Sequence, residues 1–420
     1  VAYDFTPYLL DMKPLPVERK VGKFYLNAGA GYQLHPELDL VWCPDLKSKS
    51  FRMNVFARNR SFVGQYWDIE SSGGAPGLVF DRGTSDSVWK GMDMSNTAGV
   101  DGRLDWEKGV LGFGLVYDGL VQQEKRLQGV SRSFNAVDAS VSLRSKDKRD
   151  ARFGYLADID YRYGSDVLTL PSEARLNESV LGVDASLFAR VAKHDRIRLD
   201  IRYDMAGYDG FFDAAASYVF VAPHYTRMKG NWDIDLGVKL AKVFRARGMS
   251  EMYKNRIQSI YPDVKIGFKG IPSLYLYLEA GGGPSLQTYS SLLKYDRHVN
   301  MFYGNGMGSL LDVTDQSVYA SAGVQGRITT RFSYAVRGGY SRYTHAPLSS
   351  VSYDAGNLRY IPGISYAPYS KVFAAFECRL ATERVDMDLS AEYAHHLGEY
   401  NVGVLLPADL TGSASFRYIW

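Results

Sequence analysis

Acidic and basic side chains recur at alternate positions along this chain. Asp158, Asp160 and Arg162 form one such set, and Arg196, Arg198, Asp200, Arg202 and Asp204 another. Asp233 with Asp235 and Asp386 with Asp388 repeat the spacing, and Arg152 lies close by in sequence. Alternate residues of an extended chain share a face, so these groups line charged walls on which a hydrolytic centre could be built. Nothing among them singles out a nucleophile with its base, and a polar wall with solvated ion pairs is what any water-filled barrel interior requires. The expectation is therefore no catalytic residue and no enzyme. There is no GxSxG elbow and no Walker loop ahead of a helix. Gly304, Gly306 and Gly308 fall in an expected surface loop, and Gly281–Gly283 in a strand, where glycine marks a bend or close packing. His395 and His396 are neighbours in a strand and point to opposite faces, with His345 at a similar height elsewhere, so no shared metal and no cofactor is expected. Cys43 lies on the face opposite Trp42, whereas Cys378 falls with Val372, Ala374 and Phe376, so both are read as unpaired thiols. No particular ligand-binding residue stands out.

The elements that would position these side chains are strands. Ile197, Leu199, Ile201, Tyr203 and Met205 alternate with the charged set around Asp200. Tyr155, Ala157, Ile159, Tyr161 and Tyr163 do the same around Asp158, as do Trp232 to Leu240 and Val385 to Tyr393. Period two recurs from end to end, and no comparable stretch carries a helical period. The chain has 420 residues, with 31 tyrosines, 41 glycines and 2 cysteines. Its 49 basic and 46 acidic side chains nearly cancel, so no nucleic-acid partner is implied. Mean hydropathy is −0.22, and no apolar run approaches the roughly 20 residues of a membrane helix. A membrane barrel, however, hides its lipid-facing residues in alternation. The sequence starts at Val1 without methionine or signal peptide, which carries no information on compartment.

Soluble sandwiches and propellers also alternate, but three features favour an outer-membrane barrel. Many runs hold about ten residues, the length of a tilted bilayer-spanning strand. Aromatics such as Tyr161, Tyr163, Tyr203 and Trp232 cap the apolar face, as interfacial girdles would. Short polar turns, among them Lys193–Asp195, Lys229–Asn231 and Thr329–Arg331, alternate with longer connections at Ser61–Met94, Ser165–Asn177, Arg297–Gln316 and Ala346–Ala367. These are the periplasmic turns and extracellular loops of such a barrel. Counting hairpins predicts an all-β, antiparallel transmembrane barrel of about 18 strands, with a range of roughly 16 to 20. It spans 21–420, opening at Gly22–Tyr32 and closing at Leu410–Trp420. Residues 1–20, with Pro7, Pro14 and Pro16, read as an extended periplasmic or lumenal segment. Phe416, Tyr418 and the terminal Trp420 alternate in the last strand, in the manner of a C-terminal outer-membrane assembly signal. The expected partners are outer-membrane lipid and lipopolysaccharide, and the assembly machinery during insertion.

The YDFTPYLL…PLP stretch at Tyr3–Pro16 and the Gly-rich first strand Phe24–Tyr32, followed by the full barrel series, resemble small TonB-dependent-receptor-like outer-membrane proteins that lack the plug domain. The resemblance implies a Gram-negative outer-membrane location and a large barrel. True TonB-dependent receptors have about 22 strands and a plugged lumen, and this chain offers neither so many strands nor a plug-sized preceding domain. Two functions follow as expectations. The leading one is a structural subunit of a larger outer-membrane complex, such as protein assembly or export machinery, with Tyr353, Tyr360, Tyr366 and Tyr369 as exposed interface tyrosines. The alternative is a pore or transporter for small solutes.

Overall fold

The computed structural model describes residues 23–418, apart from single positions 45, 47, 49, 68, 212, 272, 296 and 298 and the connecting segments 32–33, 72–79, 83–87, 125–129, 147–151, 170–173, 248–259, 300–312, 355–358 and 399–403. The expected N-terminal segment 1–20 and Trp420 lie outside the described residues.

Eighteen strands form the wall. They are β1 (Phe24–Gly31), β2 (His35–Trp42), β3 (Phe51–Trp67), β4 (Val88–Asp105), β5 (Gly109–Glu124) and β6 (Val130–Ser145). Next come β7 (Phe153–Thr169), β8 (Ala174–Arg190), β9 (Asp195–Gly210), β10 (Ala214–Lys229), β11 (Trp232–Arg247) and β12 (Ile260–Ile271). The series ends with β13 (Leu274–Leu286), β14 (Val313–Thr329), β15 (Phe332–Asp354), β16 (Arg359–Ala381), β17 (Val385–Leu397) and β18 (Leu410–Tyr418). Each pairs antiparallel with its sequence neighbour in one continuous meander. The wall curls until Ile364 of β16 shares one buried cluster with Leu168 of β7 and Leu176 of β8 across the interior. This is the expected transmembrane barrel, with short periplasmic turns such as Gly230–Asn231, where Gly230 takes a φ of +61°.

Alternation sorts the two faces as the sequence requires. Ile159, Tyr161, Tyr163, Ile197, Leu236, Val238 and Leu278 stand exposed on the outside, and their strand neighbours carry the interior ion pairs. In water such a surface is costly, whereas in hydrocarbon it is the favoured one, and the antiparallel ladder satisfies the backbone there. The chain is thus a transmembrane barrel. Among the described residues no helix is long and apolar enough to cross a membrane.

The long connections differ from expectation. β3 and β4 remain paired from Phe51↔Leu104 to Trp67↔Val88, so much of Ser61–Met94 is strand. β7 and β8 run on to Thr169 and from Ala174, through most of Ser165–Asn177. The β15–β16 ladder continues to Asp354↔Arg359, turning Ala346–Ala367 into a hairpin. Beyond the hydrocarbon layer the outward face need not be apolar, so alternation fades while backbone pairing persists. Among the described residues there is also one short helix, α1 (Tyr289–Tyr295), where only strands and loops were expected.

Candidate functional site

α1 lies inside the barrel. It follows β13, and its residues turn inward onto the wall. Its start is fixed locally: the Thr288 hydroxyl accepts from Ser291 N at 3.2 Å, and Thr288 N donates to the Ser291 hydroxyl at 2.9 Å. This reciprocal pair is a capping box with serine in the third position.

Polar side chains of the wall hold the helix in place. Arg132 of β6 and Asp166 of β7 form an ion pair at 2.9 Å, with side chains only 5% and 0% exposed. The Tyr289 hydroxyl sits between them, accepting from Arg132 and donating to Asp166. Glu178 of β8 accepts from Ser290 N at 2.9 Å and from the Ser290 hydroxyl at 3.2 Å. Beyond the helix, Arg297 reaches Asp93 of β4 at 3.1 Å, and its carbonyl accepts from Arg132 at 3.2 Å. These charges are tolerable in the interior because each meets an opposite charge or a hydrogen-bond donor.

Apolar contacts complete the seat. Tyr289, Leu292, Leu293 and Val299 are buried against Phe134 of β6, Leu168 of β7, Leu176 of β8, Tyr208 of β9 and Ile364 of β16. Strands β7 and β16 are nine apart in an 18-strand wall, so this cluster bridges the lumen from side to side. It forms a cap near the extracellular end.

Below the cap, toward the short turns, lies a cavity of about 690 Å³ lined by β8 to β16. Met228 and Asp233, which flank the Gly230–Asn231 turn, lie in its wall, and so do Gln325 and Ala335 near the turn at 330–331. Ion pairs cross its surface. Arg198 meets Asp200 at 2.8 Å and Asp235 at 3.2 Å, and Arg202 meets Asp204 at 2.6 Å and Asp184 at 3.5 Å. His224 is buried between Asp235, Asp200 and Asp263 at 3.0, 3.6 and 3.5 Å. A bulge at Gly281–Gly283, with Gly283 at φ +144°, turns the Gly282 carbonyl to accept from Lys239 at 3.0 Å. The glycine run read as a bend is one.

Of the sequence-derived residues, Arg198, Arg202, Asp200, Asp204, Asp233 and Asp235 do meet in one region, and Arg162 pairs with Asp138 and Asp118 on a neighbouring stretch of wall. Asp386 and Asp388 face Arg379 and are not among the residues lining the cavity. Arg152 and Arg196 sit over the Phe153 and Phe188 rings instead. His395 and His396 diverge, with His396 against Tyr369, and His345 stacks on Tyr366 at 4.5 Å. Cys43 and Cys378 are both free thiols. The interface reading of two tyrosines needs correction. Tyr369 is 7% exposed, buried in a cluster with Ala346 and Leu348, and Tyr366 packs against the cap cluster. The side chains of Tyr353 and Tyr360 lie outside the described residues. Phe416 and Tyr418 share the outer face of β18, 69% and 46% exposed. Sequence reasoning missed Arg132, Asp166, Glu178 and Tyr289. The only signal for the last was the Thr288–Ser291 capping pattern.

No family model matches the chain, and no curated protein matches its sequence. Solved structures do. An apoprotein form of the FrpB iron transporter from Neisseria meningitidis superposes with a TM-score of 0.61 at 9% identity, covering 94% of this chain and 66% of that one. The siderophore receptor PirA from Acinetobacter baumannii gives 0.58 at 7% identity, over 94% and 65%. The copper transporter OprC gives 0.55 at 12%, over 91% and 62%. This chain spans less than two thirds of the length of each. At these identities the likeness is one of fold: the chain has the barrel architecture of TonB-dependent outer-membrane receptors and transporters.

Proposed function

We propose that the protein is an outer-membrane transporter for small solutes, closed on its external side by the inward-folded α1 segment. The observation that carries this reading is the cap itself, seated on both sides of the lumen above a charged cavity. The folded neighbours described as transporters and receptors support it. A cap held by an ion pair and hydrogen bonds can be released as a unit, whereas a lumen filled by wall side chains alone could not open. The test is single-channel recording in planar bilayers. The native barrel is expected to be silent or to conduct in brief bursts, and replacing 287–299 by a Gly–Ser linker is expected to give a steady open pore. A linker variant that folds yet stays silent would sink the reading.

A second reading, a structural subunit of an outer-membrane assembly or export complex, is favoured by one feature. The terminal strands β1 and β18 are exposed at every position, and among the described residues each pairs with only one neighbour. Edges of this kind suit a partner barrel. Co-purification of a stoichiometric membrane partner in mild detergent is its test. Under either reading the outer wall meets lipid and lipopolysaccharide, and Phe416, Tyr418 and Trp420 serve as the signal for the insertion machinery.

A further inference from the structure

Most charges lining the cavity are neutralised by one another, and two are not. Arg198, Arg202, Lys239 and Lys265 each meet a carboxylate, the last through a 2.6 Å contact with Glu279. Arg337 of β15 lines the same cavity and makes no ion pair or hydrogen bond among the described residues, and its Nε is buried without a partner. Burying a guanidinium nitrogen unsatisfied is costly, and such an atom calls for an acceptor. Glu377 of β16 also lines the cavity without an ion pair.

The register explains why these two charges stay apart yet share one space. Arg337 pairs with Ala375, and Glu377 with Ala335, so they are diagonal neighbours on the inner face, at positions about 7–8 Å apart. Arg337 also pairs with Gly323 of β14, so small residues flank it on both sides. Tyr277 leans over Gly323, where a Cβ would meet its ring at 2.4 Å. Tyr277 and Tyr319 both line the cavity beside this pair.

We propose that this corner of the lumen binds a small zwitterionic solute with an apolar or aromatic body, of the α-amino-acid class. Arg337 takes the carboxylate through its planar fork of donors. Glu377 takes the ammonium, and Tyr277 and Tyr319 hold the body. A ligand with both charges neutralises the site without stranding either wall residue. One with a single charge leaves the other wall charge uncompensated. The cavity volume of about 690 Å³ lies in the usual range of small-molecule sites. This assignment rests on the transporter reading and names its substrate class.

The test is calorimetric titration of the purified barrel with L-phenylalanine, 3-phenylpropanoate and phenethylamine. L-phenylalanine is expected to bind saturably, and each single-charge analogue at least tenfold more weakly. Arg337→Gln and Glu377→Gln are each expected to weaken L-phenylalanine binding at least tenfold, with heat-modifiable gel migration unchanged. Absence of saturable binding would overturn the site, as would equal binding of the analogues or indifference to both substitutions. Conductance of the linker variant separates the two proposals. A pore that opens when the cap is removed but binds no L-phenylalanine refutes the site alone. Binding without any opening refutes transport and leaves the site.

Discussion

Tyr289 inserts its hydroxyl between Arg132 and Asp166, so one side chain of the cap completes an ion pair of the wall. The pair is buried, which makes its two partners unequal in what their removal does. Arg132→Met leaves Asp166, fully buried with Oδ1 already unpartnered, as an uncompensated charge. The expected cost is about 3–5 kcal/mol. It should appear as a drop of that order in the opening free energy of residues 289–295, measured by amide hydrogen exchange. Arg132→Met combined with Asp166→Asn should recover much of the loss, because no charge is then stranded. Equal protection in wild type and the single variant would mean that the pair does not hold the cap.

At the scale of elements, each wall strand must satisfy lipid on one face and water on the other. Ile159 of β7 lies between Val141 of β6 and Val183 of β8, an apolar row on the outside. Ile159→Arg is expected to cost about 2–4 kcal/mol near the bilayer midplane, whereas Ile159→Leu should cost less than about 1.5 kcal/mol. Urea titration of folding into liposomes measures both, and similar values for the two would place this row away from lipid. The same alternation is why the wall could be read from the sequence: period two persists wherever one face meets hydrocarbon. It fails where that constraint ends. The outer halves of β15 and β16 keep their ladder without an apolar face, so Tyr366 and Tyr369 read as loop residues although each packs into a buried cluster. α1 covers seven residues, fewer than two turns, too short for a helical period to register. Its polar seat brings together Arg132, Asp166, Glu178 and Tyr289, residues up to 157 positions apart. No local pattern encodes a meeting at that separation. Arg337 and Glu377 were equally hidden, since only the β15–β16 register sets them side by side.

For the whole molecule the deciding feature is the seam. β1 runs toward the extracellular side and β18 returns from it, so the two could pair antiparallel, and their lengths of 8 and 9 residues match. Their alternation matches as well. Phe24, Leu26 and Ala28 face outward on β1 through their pairing with Trp42, Leu40 and Leu38, and Ala414, Phe416 and Tyr418 face outward on β18. Hydrocarbon does not tolerate unpaired backbone, so in the bilayer these edges must meet each other or a strand from elsewhere. Transport through a capped lumen requires the first, and a scaffold with a laterally docked partner permits the second. With Cys43 and Cys378 replaced by serine, a cysteine at Ala28 paired in turn with cysteines at Gly412, Ala414 and Phe416 distinguishes them. In liposomes holding only this protein, one of the three pairs is expected to form an intramolecular disulfide on mild oxidation. Intermolecular disulfides at all three, or none, would mean that the edges do not close on each other. The wall would then be completed by a partner strand, and the scaffold reading would displace the transporter.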